Sequence, residues 1–343
     1  MTAIPTVRTV DYHTGGEPFR IVVEGAPTLV GRTVLERRRW ARDHVDAIRH
    51  LVIDEPRGHA DMYGAFVTPP DDEGADLGVV FFHNEGYSTA CGHGTIALVT
   101  WAIDEGRVAV PAGAGEVPVT VDVPSGRLAC RARLEAGRVA AVAFLNVPSF
   151  VLARAVEVPT TRGPIRVDVA FGGAFYGSVE VGALGLRVDR NSLPALIALQ
   201  RELRPALDAD LDPRHPVEPE LAGIYGITFW QPEPDETGAD LVQRNVTVFA
   251  DGEVDRSPCG SGTSARLALL DTATADGPLA RGAILRHRSI VDSVFHARVV
   301  GDGPRIDGRP SIVTEVEGSA FRTGHHAFEL DPLDPLGTGF LLR

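Results

Sequence analysis

The hydrophobic residues of this chain alternate with polar ones in many short runs, and turns rich in glycine and proline separate the runs. Alternation with a period of two is typical of β-strands that bury one face. The pattern therefore predicts a chain made mostly of short strands. In chain order the predicted strands are 7–12, 19–23, 51–54, 62–68, 77–83, 117–123, 128–134, 139–145, 167–170, 174–181, 226–230 and 246–250, with further short strands towards the end.

Helices are predicted at 33–49, 96–105, 192–207 and 264–274. Each half of the chain then has strands wrapped around a helix that follows a Cys-Gly-x-Gly-Thr turn. This order predicts an internal duplication at the level of a domain, not a solenoid of short repeats. A chain of 343 residues is also long for a single core, and segment 146–149 is the predicted crossing between two domains.

Two short segments, Ala-Cys-Gly-His-Gly-Thr at 90–95 and Pro-Cys-Gly-Ser-Gly-Thr at 258–263, are nearly the same. The start of a helix offers unpaired N–H groups and a partial positive charge, which favour a thiolate and bind a carboxylate. If Cys91 and Cys259 reach one small molecule, a thiolate and a thiol can act as base and acid on opposite faces of one carbon. The duplicated motif therefore predicts proton transfer by two thiols.

Three plainer interpretations compete with this one. Each glycine-rich turn could simply cap a helix, but two copies in equivalent halves weigh against that reading. A zinc site would pair Cys91 with His93, yet Cys259 lacks a matching ligand, so no metal is expected. A cysteine nucleophile paired with a histidine would need only one cysteine and would not explain the second motif.

Polar residues near the motifs have weaker signals. Asp255 lies four residues before Cys259 and could hold an ammonium group or cap the turn. His93 could donate to a carboxylate or pack against its turn. Cys130 has no motif around it and is predicted to be a packing residue. Loop bracing is predicted for four further polar residues: His13, Glu17, Arg57 and His59.

Composition narrows the class of protein further. The chain is 44% hydrophobic and 23% charged, which is ordinary for a soluble globular protein. Its net charge of −13 argues against nucleic acid and anionic membranes as partners. The basic run 36–42 is predicted to be a solvated helix face. The start of the sequence lacks the apolar core of a signal peptide, no apolar run could span a membrane, and three cysteines are too few for a disulfide framework. These features predict a cytoplasmic protein with reduced thiols.

Four segments together carry a resemblance to a known family: Asp-Tyr-His-Thr-Gly-Gly-Glu-Pro at 11–18, Glu-Pro-Arg-Gly-His at 55–59, and the cysteine motifs at 91–95 and 255–263. On these segments, which fall in order and cover essentially the whole chain, the protein resembles the proline racemase family. The resemblance implies an α+β, diaminopimelate-epimerase-like fold of two pseudo-symmetric domains, each a mixed sheet curled around a central helix. It implies a first domain of 1–148 plus about 300–343, with the strands around 312–328 returning to it, and a second domain of 149–299.

The same resemblance implies roles for particular residues. Proton transfer falls on Cys91 and Cys259, and the ammonium-binding carboxylate on Asp255. The carboxylate-binding amides and the aromatic walls of the pocket fall on Gly92, His93, Gly260, Ser261, Tyr63 and Phe249. No cofactor or metal is used in the family, the expected ligand is proline or hydroxyproline, and the resemblance leaves a homodimer open.

The second cysteine separates the reactions within the family. Proline racemases and hydroxyproline 2-epimerases have both cysteines, whereas trans-3-hydroxyproline dehydratases generally have threonine at the second position and need one base. Cys259 therefore predicts epimerisation or racemisation at C2. Segments 86–89, 171–176 and 224–226 resemble the dehydratases instead, and Tyr225 stands near where many 4-hydroxyproline epimerases have histidine. The alternative is a trans-3-hydroxy-L-proline dehydratase with Cys91 as base, and a more remote one is a non-catalytic amino-acid binding protein.

Overall fold

The computed structural model describes residues 5–234, 238–271, 273 and 277–342. The chain divides into two compact units. Unit 1 comprises Met1–Ala143 and Ser319–Arg343, and unit 2 comprises Phe144–Gly318.

Unit 1 is a mixed sheet around a buried helix. Its strands are β1 Val7–Thr14, β2 Glu17–Glu24, β3 Tyr63–Thr68, β4 Leu77–His83, β5 Glu116–Val123, β6 Gly126–Glu135, most of β7 Arg138–Leu145, and the C-terminal β17 Ala320–Phe328; its helices are α1 Val34–His44, α2 Asp46–Ile53 and α3 Gly92–Asp104. The paired order is β17-β1-β2-β3-β4-β5-β6, with β2–β3 and β4–β5 parallel. Helix α3 contacts β17, β1, β2 and β3 at one end of the strand order and β6 at the other. The sheet therefore curls around this helix. Because α3 is buried nearly all round, its sequence is apolar without a polar face.

Unit 2 has the same plan. Its strands are β8 Phe150–Thr160, β9 Gly163–Phe171, β10 Phe175–Glu180, β11 Ile224–Pro232, β12 Leu241–Phe249, β13 Glu253–Asp255, β14 Leu285–Ser289, β15 Val294–Asp302 and β16 Ile312–Gly318; its helices are α4 Leu193–Leu211 and α5 Gly260–Leu270. The paired order is β8-β9-β10-β11-β12-β14-β15-β16, with β10–β11 and β12–β14 parallel. Every residue of α5 is buried, and the helix contacts β8, β9, β10, β15 and β16.

The two units repeat one succession of pairings: antiparallel, antiparallel, parallel, antiparallel, parallel, antiparallel. Parallel neighbours need a crossover, and each crossover contains a helix. The first crossover holds α1 and α2 in unit 1 and α4 in unit 2, and the second holds α3 or α5. The predicted α+β fold, with two related mixed sheets each curled around a central helix, is confirmed.

The C-terminal strands leave unit 2 later than expected. The family resemblance implies a return to the first domain near residue 300, but β15 and β16 form an antiparallel pair within unit 2. Ser319 alone separates β16 from β17, which pairs with β1 in unit 1. Of the strands around 312–328, only β17 belongs to unit 1, because the hairpin partner of β16 holds that strand in unit 2.

The predicted helix 33–49 and strand 51–54 are wrong in detail. The helix ends at His44, and α2 begins directly after Val45, whose φ of −125° and ψ of 12° interrupt the first helix. Residues 51–53 are the buried last turn of α2. A short apolar run does not by itself distinguish a strand from a buried helical turn. The basic run in α1 is also not wholly solvated, since Arg37 is buried and donates to the carbonyls of Gly31 and Pro69.

The helix predicted at 264–274 begins earlier, at Gly260, and residues 272 and 274 lie outside the described residues. Along the described chain, no helix is both long and apolar enough to cross a membrane.

Candidate active site

Cys91 stands at the start of the central helix of unit 1. It is the N-cap of α3, with an extended backbone, and is 5% exposed. Its Sγ accepts a hydrogen bond from the Gly94 N–H at 3.3 Å. The Cys91 carbonyl accepts from both the N–H and the hydroxyl of Thr95, at 2.9 and 2.8 Å. The Gly-x-Gly-Thr sequence therefore fixes the turn around the sulfur.

The His93 ring lies directly against the same sulfur. Its Nε2 and Nδ1 are 3.4 and 3.6 Å from the Cys91 Sγ. Tyr63 and Phe19 contact the ring edge-on, with centroids 4.9 and 5.9 Å from that of His93. Thr14 holds the backbone here by donating to the His93 carbonyl at 2.8 Å. Predicted site residues Cys91, His93 and Tyr63 thus form one buried cluster in unit 1.

Gly94 has no room for a side chain. A Cβ there would overlap the Phe19 ring and lie 2.7 Å from the Cys91 Sγ. We expect Gly94→Ala to lower the free energy of unfolding by roughly 1–3 kcal/mol, because overpacking forces the ring or the thiol to move, and to lower turnover with it. Urea unfolding and an activity assay measure the two effects.

Alanine substitutions at Gly262 and Gly115 serve as comparisons for Gly94→Ala, because a Cβ at these two positions has more space. A Cβ at Gly262 would meet the Cys259 Sγ at 3.0 Å and the Thr228 hydroxyl at 3.2 Å, a milder conflict, and one at Gly115 would meet nothing within 4 Å. The expected order of damage is Gly94→Ala, then Gly262→Ala, with Gly115→Ala close to wild type. A Gly94→Ala protein as stable as Gly115→Ala would contradict this account of the first turn.

Cys259 occupies the matching position in unit 2 but with a different backbone. It is the N-cap of α5, 5% exposed, with φ of +62° and ψ of 102°. Positive φ is uncommon for residues other than glycine and costs on the order of 1–3 kcal/mol. Hydrogen bonds hold the turn in place: the Cys259 N–H donates to the Ser257 hydroxyl at 3.1 Å, and the Ser257 N–H donates to the Asp255 carboxylate at 2.8 Å. Asp255 is thus part of the structure that presents the thiol.

The surroundings of the Cys259 sulfur favour the neutral thiol. Burial, followed by the nearby Asp255 carboxylate, raises the pKa of Cys259 to about 12. Hydrogen bonds from the Gly262 N–H and from the side chains of Thr247 and Tyr176 oppose that rise because they stabilise the thiolate. At neutral pH the resting Cys259 is therefore protonated.

Aromatic side chains line the same region of unit 2. The Tyr225 ring stacks on Phe249 with centroids 5.3 Å apart, and its edge meets the Tyr176 ring at 5.7 Å. The Tyr176 hydroxyl is 2.6 Å from the Ser261 hydroxyl and 3.9 Å from the Cys259 Sγ. Four predicted site residues therefore lie in unit 2: Cys259, Ser261, Asp255 and Phe249.

Two neighbours of the Cys259 sulfur were not predicted from the sequence as site residues. Thr247 lies two residues before the end of β12 and belongs to no sequence motif. Tyr176 follows a Phe-Gly-Gly-Ala-Phe segment that is conspicuous in the sequence, yet only the fold shows which helix that segment approaches.

The other polar residues singled out in the sequence contact nearby loops or are buried. Arg57 donates to the Gly337 and Thr338 carbonyls of the C-terminal segment. His13 accepts from the N–H of Gly16, and His59 bonds to the adjacent carbonyl of Ala60. Glu17 is fully buried at the start of β2.

All three cysteines are described, and none forms a disulfide. Cys130 is buried in β6, and burial raises its pKa, as suits a packing residue. Within the part of the chain that the structure describes, no group of three or more metal-binding side chains is assembled.

The chain thus has two related α+β units, and each places a cysteine at the first turn of its buried central helix. This architecture is characteristic of a family of proteins, not of one protein. The sequence model of the proline racemase family matches residues 9–341. The chain therefore belongs to the proline racemase family.

The names of similar proteins refer to two different reactions. The chain is 43% identical over 335 residues to a trans-3-hydroxy-L-proline dehydratase of Bacillus thuringiensis subsp. konkukian, covering 97% of each chain. It is also 43% identical over 341 residues to a 3-hydroxyproline 2-epimerase of Burkholderia multivorans, covering 98% of each. The relatives thus include a hydro-lyase and an isomerase, and sequence identity does not separate them.

Solved structures agree on the fold. A hydroxyproline epimerase of Agrobacterium vitis, crystallised with trans-4-hydroxy-L-proline, matches with a TM-score of 0.89 at 29% identity, covering 98% of this chain and 96% of that one. A protein of the PhzF family from Bacillus anthracis matches with a TM-score of 0.57 at 11% identity, which supports the diaminopimelate-epimerase-like fold alone.

Proposed function

We propose that this chain epimerises 3-hydroxyproline at C2 without a cofactor, using the Cys91 and Cys259 thiols as the two proton-transfer groups. One observation carries the proposal: a cysteine stands at the first turn of the central helix in both units, in equivalent motifs. Both named relatives at 43% identity act on 3-hydroxyproline by their names, which favours that ring over its 4-hydroxy isomer and over proline.

In this proposal the substrate's carboxylate and ammonium group are bound by residues in and near the two cysteine motifs. The N–H groups of Gly92, His93, Gly260 and Ser261 are at helix starts, where they suit a carboxylate. Asp255 would receive the ammonium group. That cation would offset the carboxylate's effect on Cys259, so substrate binding should lower the thiol's pKa and ease its ionisation. Tyr63 and Phe249 would form the apolar walls around the ring.

The reaction then needs two proton movements. A thiolate takes the C2 proton and becomes a thiol, while the opposite thiol gives its proton to the other face of C2 and becomes a thiolate. The sum of the two movements is an inverted carbon and an enzyme with its two protonation states exchanged. The reverse direction uses the same groups in opposite roles, so both thiols are needed in either direction.

The second candidate is dehydration of trans-3-hydroxy-L-proline. Cys91 would remove the C2 proton, the 3-hydroxyl would leave as water with that proton, and the resulting enamine would rearrange to an imine. The equal identity to the dehydratase-named relative and the resemblance of segment 171–176 favour it. Cys259 weighs against it, because loss of water requires no acid on the opposite face of C2.

A substrate panel in deuterated water separates the candidates. We expect trans-3-hydroxy-L-proline to give its C2 epimer with deuterium at C2, measured by proton NMR and chiral chromatography, and to do so faster than trans-4-hydroxy-L-proline or L-proline. A dehydratase would consume the substrate to an imine, and a binding protein would leave it unchanged. The Cys91→Ser/Cys259→Ser double variant is the blank, and conversion to imine as the main product would replace the proposal with its alternative.

A further inference from the structure

We infer that Tyr176 is a positioning residue for Cys259, and that its hydroxyl holds the sulfur of unit 2 as the His93 ring holds the sulfur of unit 1. The inference rests on the proposed function in one respect, that Cys259 must exchange a proton.

The two motifs differ at their third position. In unit 1 that position is His93, whose ring is 3.4 Å from the Cys91 Sγ. In unit 2 it is Ser261, whose hydroxyl is 2.6 Å from the Tyr176 Oη. The Tyr176 Oη is in turn 3.9 Å from the Cys259 Sγ, within the range of a hydrogen bond to sulfur. A polar aromatic side chain therefore meets each thiol, supplied by the motif itself in one unit and by a neighbouring strand in the other.

The fold holds Tyr176 in this place from several sides. The turn before β10 lies directly on the first turns of α5, since a Cβ at Gly172 would overlap the Ser261 carbonyl and lie 2.6 Å from the Ala265 nitrogen. The side chain of Asn146 fixes that turn by donating to the Gly172 carbonyl at 2.8 Å. Tyr176 itself is 2% exposed, so its hydroxyl has little freedom to turn to solvent. The glycine and the buried ring together aim the hydroxyl at Cys259.

The same three groups can serve both states of the sulfur. With a thiol, the Cys259 S–H donates to the Tyr176 Oη, and the tyrosine O–H donates to the Ser261 Oγ. With a thiolate, the Ser261 O–H donates to the Tyr176 Oη, and the tyrosine O–H donates to the Cys259 Sγ. Only hydrogens on rotating hydroxyls change direction, and no proton leaves Tyr176 or Ser261. The sulfur therefore keeps a hydrogen-bond partner before and after proton transfer.

Other groups also face the Cys259 sulfur and act on its charge. Asp255 from β13 carries a negative charge and opposes the thiolate, while Thr247 from β12 and the Gly262 N–H from α5 support it. Tyr225 from β11 faces Tyr176. Burial raises the pKa of Tyr176, so the phenol stays neutral and keeps its donor.

Alkylation of each cysteine by iodoacetamide, followed by peptide mass spectrometry between pH 7 and 10, tests the inference without substrate. In Tyr176→Phe we expect the Cys259 rate to fall about tenfold at every pH in this range. The loss of a donor to the thiolate should raise its pKa by about one unit, and the rate below the pKa follows the thiolate fraction. The Cys91 rate, read in the same sample, should not change.

Two further variants sharpen the result. Tyr12→Phe removes another buried hydroxyl, which donates to Asp104 at the far end of α3, and should leave the Cys259 rate at the wild-type value. Ser261→Ala keeps the tyrosine donor but removes its support, so the Cys259 rate should fall by less than in Tyr176→Phe. This variant also decides the matter if Tyr176→Phe fails to fold, as judged by circular dichroism.

An unchanged Cys259 rate in Tyr176→Phe and Ser261→Ala would overturn the inference. So would a rise at both cysteines, which would indicate loosened packing. Because alkylation needs no turnover, a shifted Cys259 rate in a protein that epimerises no proline derivative would contradict the proposed function and leave the inference standing.

Discussion

Replacement of either Cys91 or Cys259 by serine is expected to lower C2 epimerisation by about 10²–10⁴-fold or more, the range that a general acid or base contributes. In the proposed mechanism each thiol serves one face of C2, and a serine hydroxyl is too weak an acid to ionise near neutral pH. The loss should appear in both reaction directions, because each direction needs one base and one acid. Chiral chromatography of the two epimers, starting from each in turn, measures it.

The third cysteine supplies the matched control for this experiment. Cys130 is buried in β6 of unit 1 and belongs to neither motif. Cys130→Ala should therefore epimerise at close to the wild-type rate, although it removes a buried thiol. Full epimerase activity in Cys91→Ser or in Cys259→Ser would eliminate the two-thiol mechanism.

The serine variants need not be equivalent in other respects. The Cys91 sulfur has the Gly94 N–H and the His93 ring beside it, whereas the Cys259 sulfur has Asp255 and the hydroxyls of Thr247 and Tyr176. Because the two sulfurs have different neighbours, we expect the two variants to lose activity by different factors.

The duplication could be predicted from the sequence because its signals are local. A glycine-rich turn that runs into a helix-forming stretch predicts a helix start, and strand alternation is visible within a few residues. That is why both central helices and most strands of the sheets were found. The end of α2 is predicted as a strand because its buried turn at 51–53 is too short to show a helical period.

The details around Cys259 could not be predicted in this way. Its φ of +62° follows from how the turn between β13 and α5 is held by Ser257 and Asp255, not from the cysteine's own preference. Tyr176 reaches the sulfur only because β10 and its preceding turn pack on α5, a contact between segments 83 residues apart. Contacts between distant segments leave no periodic trace in a single sequence.

The substitution Cys259→Thr is expected to abolish epimerisation and to allow dehydration of trans-3-hydroxy-L-proline. Cys91 would still remove the C2 proton, but threonine could not readily return one to the opposite face. The carbanion-like intermediate would then persist long enough for the 3-hydroxyl to leave as water. Formation of the imine product from trans-3-hydroxy-L-proline, followed for wild type and variant side by side, measures the change.

The backbone at residue 259 adds a second expectation for the same variant. Threonine is β-branched, and a β-branched residue at φ of +62° is strained more than cysteine is. Cys259→Thr should therefore unfold a few degrees below wild type, by roughly 2–4 °C for each kcal/mol of strain. Cys259→Ser has the same hydroxyl without the branch and should unfold closer to wild type, so it separates strain from the loss of the thiol.

A gain of dehydration in Cys259→Thr must also depend on the remaining thiol. The double variant Cys91→Ser/Cys259→Thr should therefore form no imine, because nothing is left to remove the C2 proton. A single variant inert towards trans-3-hydroxy-L-proline would argue against a pocket that orients the 3-hydroxyl as a leaving group. A wild-type protein that dehydrates this substrate faster than it epimerises any proline would show instead that Cys259 is compatible with loss of water, and the hydro-lyase reaction would become the assigned one.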